Sequence, residues 1–160
     1  MPFSGTVGAA AYAAHDAGIP GIAFSGKTDD RQAFNTAPIS DAHSIYASLA
    51  TSFTQKIIES GTPYLPEDVF LNVNFPEISD ECNDPSKFKW VLSRINPGII
   101  SEPDVKWCGS TRLPMEDKVV RTRGCYISVS VGDASDKTTA DDDRQAEVLA
   151  KLQDLLVCLP

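Results

Sequence analysis

Ser4-Gly5-Thr6-Val7-Gly8-Ala9-Ala10 opens the stretch that decides the fold, and Gly18-Ile19-Pro20-Gly21-Ile22-Ala23-Phe24-Ser25 closes it. Between them, Thr6 to about Ala17 predicts a helix held close to a neighbour, since Ala9, Ala10, Ala11, Ala13 and Ala14 leave little side-chain bulk. Gly18 is placed to end it, Ile19-Pro20-Gly21 is a turn, and Ile22 to Ser25 reads as a short buried strand. Helix, turn and strand in that order imply a parallel-sheet α/β unit whose first strand lies outside the chain. The start of the helix is also a ready anion site. Its first N–H groups have no partner inside the helix and carry the positive end of the dipole. Gly5 lets a ligand approach the backbone, and Ser4 and Thr6 add hydroxyl donors, so a phosphate is the expected guest. An ordinary Ser/Thr N-cap would use the same residues. A phosphate cradle in an α/β enzyme normally follows a strand, whereas only Met1-Pro2-Phe3 precede this one.

Further along, residues 26–40 are polar and irregular. Ser40 or Asp41 is expected to cap a long helix to about Ser60, with Ala42, Ile45, Leu49, Phe53 and Ile57 near i, i+4 spacing and Gly61 closing it. Val69 to Phe75 reads as a strand stopped by Pro76. From Pro76 to Lys118 the pattern dissolves: five of the eleven prolines fall there, so residues 77–118 are expected to form an arm or insertion in a single domain over 1–160. Lys87 to Ile95 leaves room for a strand inside it. Tyr126 to Val131 alternates Ile127, Val129 and Val131 with Tyr126, Ser128 and Ser130, the mark of a half-buried strand. Thr139 to Leu156 predicts a last helix with an apolar stripe of Ala146, Leu149, Leu152 and Leu156.

With 160 residues, 42% of them hydrophobic, the chain can bury one domain core. No apolar run approaches the roughly 20 residues of a membrane span. The net charge is −8 and the basic residues are scattered, so neither nucleic acid nor an anionic membrane is expected as a partner. Cys82, Cys108, Cys125 and Cys158 have no C-x-x-C spacing. Two disulfides or four buried thiols both remain open. Cys158, among leucines, reads as a core thiol, while Cys82 and Cys108 sit in loop-like sequence and are the better disulfide candidates.

Gly21 to Thr28, Gly-Ile-Ala-Phe-Ser-Gly-Lys-Thr, satisfies the letters of a phosphate-binding P-loop. A P-loop needs a strand before its first glycine and an amphipathic helix near the Lys-Thr, and neither is read here. A P-loop nucleotidase is therefore a remote alternative. His15 and His43 fall within predicted helices, without spacing for a nucleophile or metal pair.

Three segments together carry a resemblance: Ser4 to Ala10 leading to Gly18-Ile19-Pro20-Gly21-Ile22-Ala23; Leu71-Asn72-Val73-Asn74-Phe75-Pro76; and Gly124-Cys125-Tyr126-Ile127-Ser128-Val129-Ser130-Val131. In content, order and spacing they resemble the survival protein SurE family, in particular its fungal-type acid phosphatase branch. The resemblance implies a Rossmann-like three-layer α/β fold lacking its first strands, with a projecting irregular or β arm. It implies a phosphomonoesterase or 5′-nucleotidase acting on phosphate monoesters or nucleotides, a divalent metal (Mg²⁺ or Mn²⁺) as cofactor, and homo-oligomers. The family's phosphate contacts carry over onto Ser4, Gly5 and Thr6.

The family's metal ligands, an Asp-Asp pair and a later Ser and Asn, all precede that turn, where this chain has three residues. No metal ligand or further catalytic residue is therefore assigned in the chain, which is expected to be an N-terminally truncated member, inactive alone. Asp29-Asp30 mimics the missing pair superficially, on the wrong strand. Asp141-Asp142-Asp143 suits a helix start without any metal. A non-catalytic binding or oligomerisation module is the alternative.

Overall fold

A computed structural model describes residues 4–27, Ala33, Asn35 and 41–160. Their order is α1 (Gly5–His15), β1 (Gly21–Gly26), α2 (Asp41–Glu59), β2 (Val69–Phe75), β3 (Lys89–Ser93), α3 (Glu116–Arg121), β4 (Tyr126–Asp133) and α4 (Asp142–Leu152). The strands form one sheet in the order β1-β2-β4-β3. β1 and β2 are parallel, in register from Gly21↔Phe70 to Gly26↔Phe75. β4 is antiparallel to β2, and β3 is parallel to β4. The sheet is thus mixed, flanked by helices in a Rossmann-like α/β arrangement. Among the described residues no helix is long and apolar enough to cross a membrane.

Strand alternation sorts the side chains onto two faces. Leu71, Val73 and Phe75 of β2 turn one way and pack with Leu49, Phe53 and Ile57 of α2 and with Val148 and Leu152 of α4. Aromatic rings fill this layer: Phe53 stacks on Trp90 with centroids 4.7 Å apart, and Tyr46 on Phe75 at 5.2 Å. Each fully buried ring contributes about 1.5–3 kcal/mol. Phe70 turns the other way, against Val7, Ala10, Ala11 and Ala14 of α1. The alanines have a physical reason: a Cβ on Gly21 would lie 2.4 Å from the Ala10 carbonyl oxygen, so helix and strand touch backbone to backbone.

The contact that orients α1 is made at its far end. His15 Nδ1 lies 2.9 Å from Asp68 Oδ1, and Asp68 immediately precedes β2. The C-terminus of α1 therefore sits at the amino end of β2, and the helix, about 16 Å long, points its N-terminus toward the carboxyl ends of β1 and β2.

The room left for a strand between Lys87 and Ile95 is filled by β3, whose Trp90, Val91, Leu92 and Ser93 are buried, so part of the segment 77–118 belongs to the sheet. Other expectations change. β4 is buried on both faces: Ser128 and Ser130 are as inaccessible as Val129 and Val131, since α3 covers the polar side. On α4 the buried stripe is Gln145, Val148 and Leu152, with Ala146 exposed. The helix is rotated because Gln145 donates from Nε2 to Asp104 Oδ1 at 3.0 Å and accepts from the Val105 N–H at 2.9 Å. Cys158 is not a core thiol. It is exposed and bonded to Cys108, while Cys82 pairs with Cys125.

Candidate functional site

Ser4, Gly5 and Thr6 form the first turn of α1. Ser4 is its N-cap, with an extended backbone and an Oγ that accepts from the Val7 N–H at 3.3 Å. That bond answers one of the orphan amides and leaves those of Gly5 and Thr6 without an intrahelical partner. Both residues are exposed, and among the described residues nothing lies within 4 Å of where a Gly5 Cβ would stand.

The carboxyl ends of β1 and β2 lie at the same end of the sheet, the edge where open α/β sheets bind ligands. Two contacts fix them. The Tyr46 hydroxyl lies 2.9 Å from the Pro76 carbonyl and 3.2 Å from that of Lys27, tying the two strand ends to α2. Gly26 passes beneath the Tyr46 ring, where a Cβ would meet the ring at 2.6 Å. A cavity of about 270 Å³ opens here, bordered by Ser25, Gly26, Lys27, Asn74, Glu116 and Asp117, among others.

Under that cavity lies a polar layer. Glu116, the first residue of α3, is 8% exposed and accepts on Oε2 from Asn72 Nδ2 at 2.8 Å and from Asn74 Nδ2 and Ser130 Oγ at 3.4 Å each. Ser130 Oγ is also 2.8 Å from Ser93 Oγ. Burial pushes the Glu116 carboxyl above its ordinary pKa, and the bonds from Asn72 and Ser130 pull it back only in part. A carboxyl raised by folding favours the folded state while protonated, and that contribution is lost as pH rises through the folded value. Glu116→Gln cannot ionise. Its unfolding free energy relative to the parent is therefore expected to improve between pH 4 and pH 7 in paired urea titrations. A constant difference across that range would refute the assignment.

Sequence reasoning missed Glu116, Asn72 and Asn74 as site residues, although Asn72 and Asn74 stood in the quoted strand. Alternation alone placed two amides on one face of a strand otherwise apolar, and that was the signal. Gly21–Gly26, the body of the P-loop pattern, is strand β1, paired residue by residue with β2, so it cannot wrap a phosphate. Thr28 and Asp29-Asp30 lie outside the described residues. Asp141 is the N-cap of α4, its Oδ1 accepting from the Arg144 N–H at 2.9 Å. Among the described residues no group of three His, Cys, Asp or Glu side chains could hold a metal ion. The described residues therefore do not fit the divalent metal that the resemblance implies.

A family model described as Survival protein SurE matches residues 1–94. An acid phosphatase of Yarrowia lipolytica (strain CLIB 122 / E 150) is 32% identical over 155 residues, which cover 80% of this chain and 43% of the relative. The chain thus spans less than half the length of that curated relative. No solved structure matches the chain. Because the matched region runs unbroken from the glycine turn of α1 through β2 and β3, more than half of its length, the chain belongs to the survival protein SurE family.

Proposed function

We propose that this chain is the phosphate-holding part of a phosphomonoesterase, with Ser4, Gly5 and Thr6 binding the phosphate of a monoester or nucleotide substrate. The observation that carries the reading is the first turn of α1, exposed at Gly5 and Thr6, whose amides have no partner within the helix and lie at the end of α1 that faces the carboxyl ends of β1 and β2. Similarity to an acid phosphatase supports it. On this reading the divalent metal and the groups that activate water belong to segments outside the chain, so the chain alone binds phosphate but does not turn it over.

Titration with inorganic phosphate, followed by ³¹P NMR, is expected to show saturable binding that falls at least about tenfold in Gly5→Val, because a β-branched side chain would block approach to the amides. Binding unchanged in Gly5→Val would remove the turn from the site. With p-nitrophenyl phosphate and Mg²⁺ or Mn²⁺, at acid and neutral pH, no turnover is expected. Metal-dependent turnover abolished by chelator would overturn the truncated reading.

A second reading, a non-catalytic assembly module, draws on one observation. Ile99 and Ile100 stand 90% and 99% exposed on the surface part of the segment expected as an arm. Adjacent exposed isoleucines favour a second copy of the chain as partner. Light scattering after size exclusion distinguishes the two: a discrete oligomer that Ile99→Asp and Ile100→Asp dissolve supports assembly, and a monomer removes it.

A further inference from the structure

Glu116 is a largely buried acid with no cation bonded to it among the described residues. Such a group needs hydrogen-bond donors, and among the described residues neutral side chains supply them on one oxygen, leaving the other to solvent or a ligand. Asn72, Asn74 and Ser130 all donate to Oε2, while Oε1 takes no bond from a described residue. Asn74 repeats the asymmetry. Its Nδ2 is spent on Glu116 and on Ser128 Oγ, each at 3.4 Å, and its Oδ1 accepts from no described residue.

Both residues border the cavity of about 270 Å³ at the carboxyl ends of β1 and β2. Lys27, the cation on that border, lies 3.7 Å from Glu77 instead, both side chains exposed. The cavity is thus bordered by two residues, Glu116 and Asn74, each with an acceptor oxygen that takes no bond from a described residue, held by the first turn of α3 and by a strand. Acceptors that take no bond from a described residue select a ligand that brings donors.

We propose that Glu116 and Asn74 are specificity-determining residues that read the alcohol half of the phosphate ester by accepting hydrogen bonds from its hydroxyl groups. The proposal rests on the reading of Ser4, Gly5 and Thr6 as the phosphate turn. The turn lies on the sheet face that carries Asn72 and Asn74, at the end of α1 that points toward the cavity. An ester of a polyol would span the two, phosphate on the helix amides and hydroxyls on the carboxylate. An ester of a plain alkyl alcohol would cover both acceptors without bonding either.

The test uses the full chain at pH 8 with three probes, inorganic phosphate, ribose 5-phosphate and n-pentyl phosphate, titrated calorimetrically. Each affinity is taken relative to inorganic phosphate on the same variant, so a general loss of structure cancels. The parent is expected to prefer ribose 5-phosphate over n-pentyl phosphate by about tenfold, as hydrogen bonds to a charged acceptor allow. Glu116→Gln is expected to cut that preference to about twofold or less, and Asn74→Ala to reduce it by a smaller factor. A parent without preference, or a preference kept in both variants, overturns the proposal while leaving the phosphate turn intact. No binding of inorganic phosphate by the parent overturns the functional reading and this proposal with it.

Discussion

Replacing Arg94 by alanine is expected to lower the unfolding free energy by about 3–5 kcal/mol, the cost of leaving a buried charge without its partner. The Arg94 and Asp104 side chains are each 2% exposed, with Nη1 2.6 Å from Oδ2. Arg94 also donates from Nε to the Asn96 carbonyl at 2.7 Å and from Nη2 to Ser101 Oγ at 2.9 Å. Asp104 completes its shell with the Leu113 N–H at 2.9 Å and Gln145 Nε2 at 3.0 Å. The pair therefore fastens the segment after β3 to both the α3 approach and α4. In Arg94→Ala the carboxylate stays buried, answered only by neutral donors and by Arg112 at 4.0 Å. Lysine would not rescue it, because one ammonium cannot reach three acceptors in a plane. Removing both charges in Arg94→Met/Asp104→Leu is expected to cost less than Arg94→Ala alone. Urea denaturation measures all three. A loss under about 1 kcal/mol in Arg94→Ala would show that water reaches the site and that the pair does not hold the segment.

The second large effect lies in the disulfides. Cys82–Cys125 closes a loop across a sequence separation of 43, and Cys108–Cys158 one of 50. By chain entropy each bridge destabilises the unfolded state by about 4 kcal/mol. A domain of this size holds only about 5–15 kcal/mol in all, so losing both bridges is expected to remove cooperative unfolding. The two bridges differ in access: Cys82 and Cys125 are buried, whereas Cys108 and Cys158 are exposed. Titration with a reductant is therefore expected to free the Cys108–Cys158 pair first, with Cys82–Cys125 following only as the fold opens. Thiol labelling and mass spectrometry read the order. Simultaneous release would mean that the buried bridge opens by local fluctuation.

What could be read in advance was local. The stretch from Ser4 to Ser25 specified a capped helix, a turn and a strand, and the structure has them as Gly5–His15 and Gly21–Gly26. Val69–Phe75 was legible to the residue, because a run rich in β-branched and aromatic residues ended on a proline. The long helix was legible as Asp41–Glu59 because its apolar positions recur with a helical period. Gly61 follows it with a positive φ of 80°, the conformation expected beyond a helix end.

What was misread was polar and buried. Ser128 and Ser130 looked like a solvent face, since alternation tells which side chains share a face but not whether another element covers it. The expected stripe of Ala146, Leu149, Leu152 and Leu156 left out Gln145, which is buried and turned the stripe of α4. The candidate site divides along this line. Ser4, Gly5 and Thr6 could be placed at a helix start from the sequence, because a helix start is local chemistry. The Asn72–Glu116 bond joins residues 44 apart, and the Arg94–Asp104 bond depends on which loop returns to the sheet edge. Pairing among four cysteines is likewise a fact of three dimensions. Sequence by itself determined most of the elements and the capped start of α1, because backbone preference and periodicity act over a few residues. Tertiary structure alone decided the buried polar partners, because a hydrogen bond between distant residues exists only once the chain has brought them together.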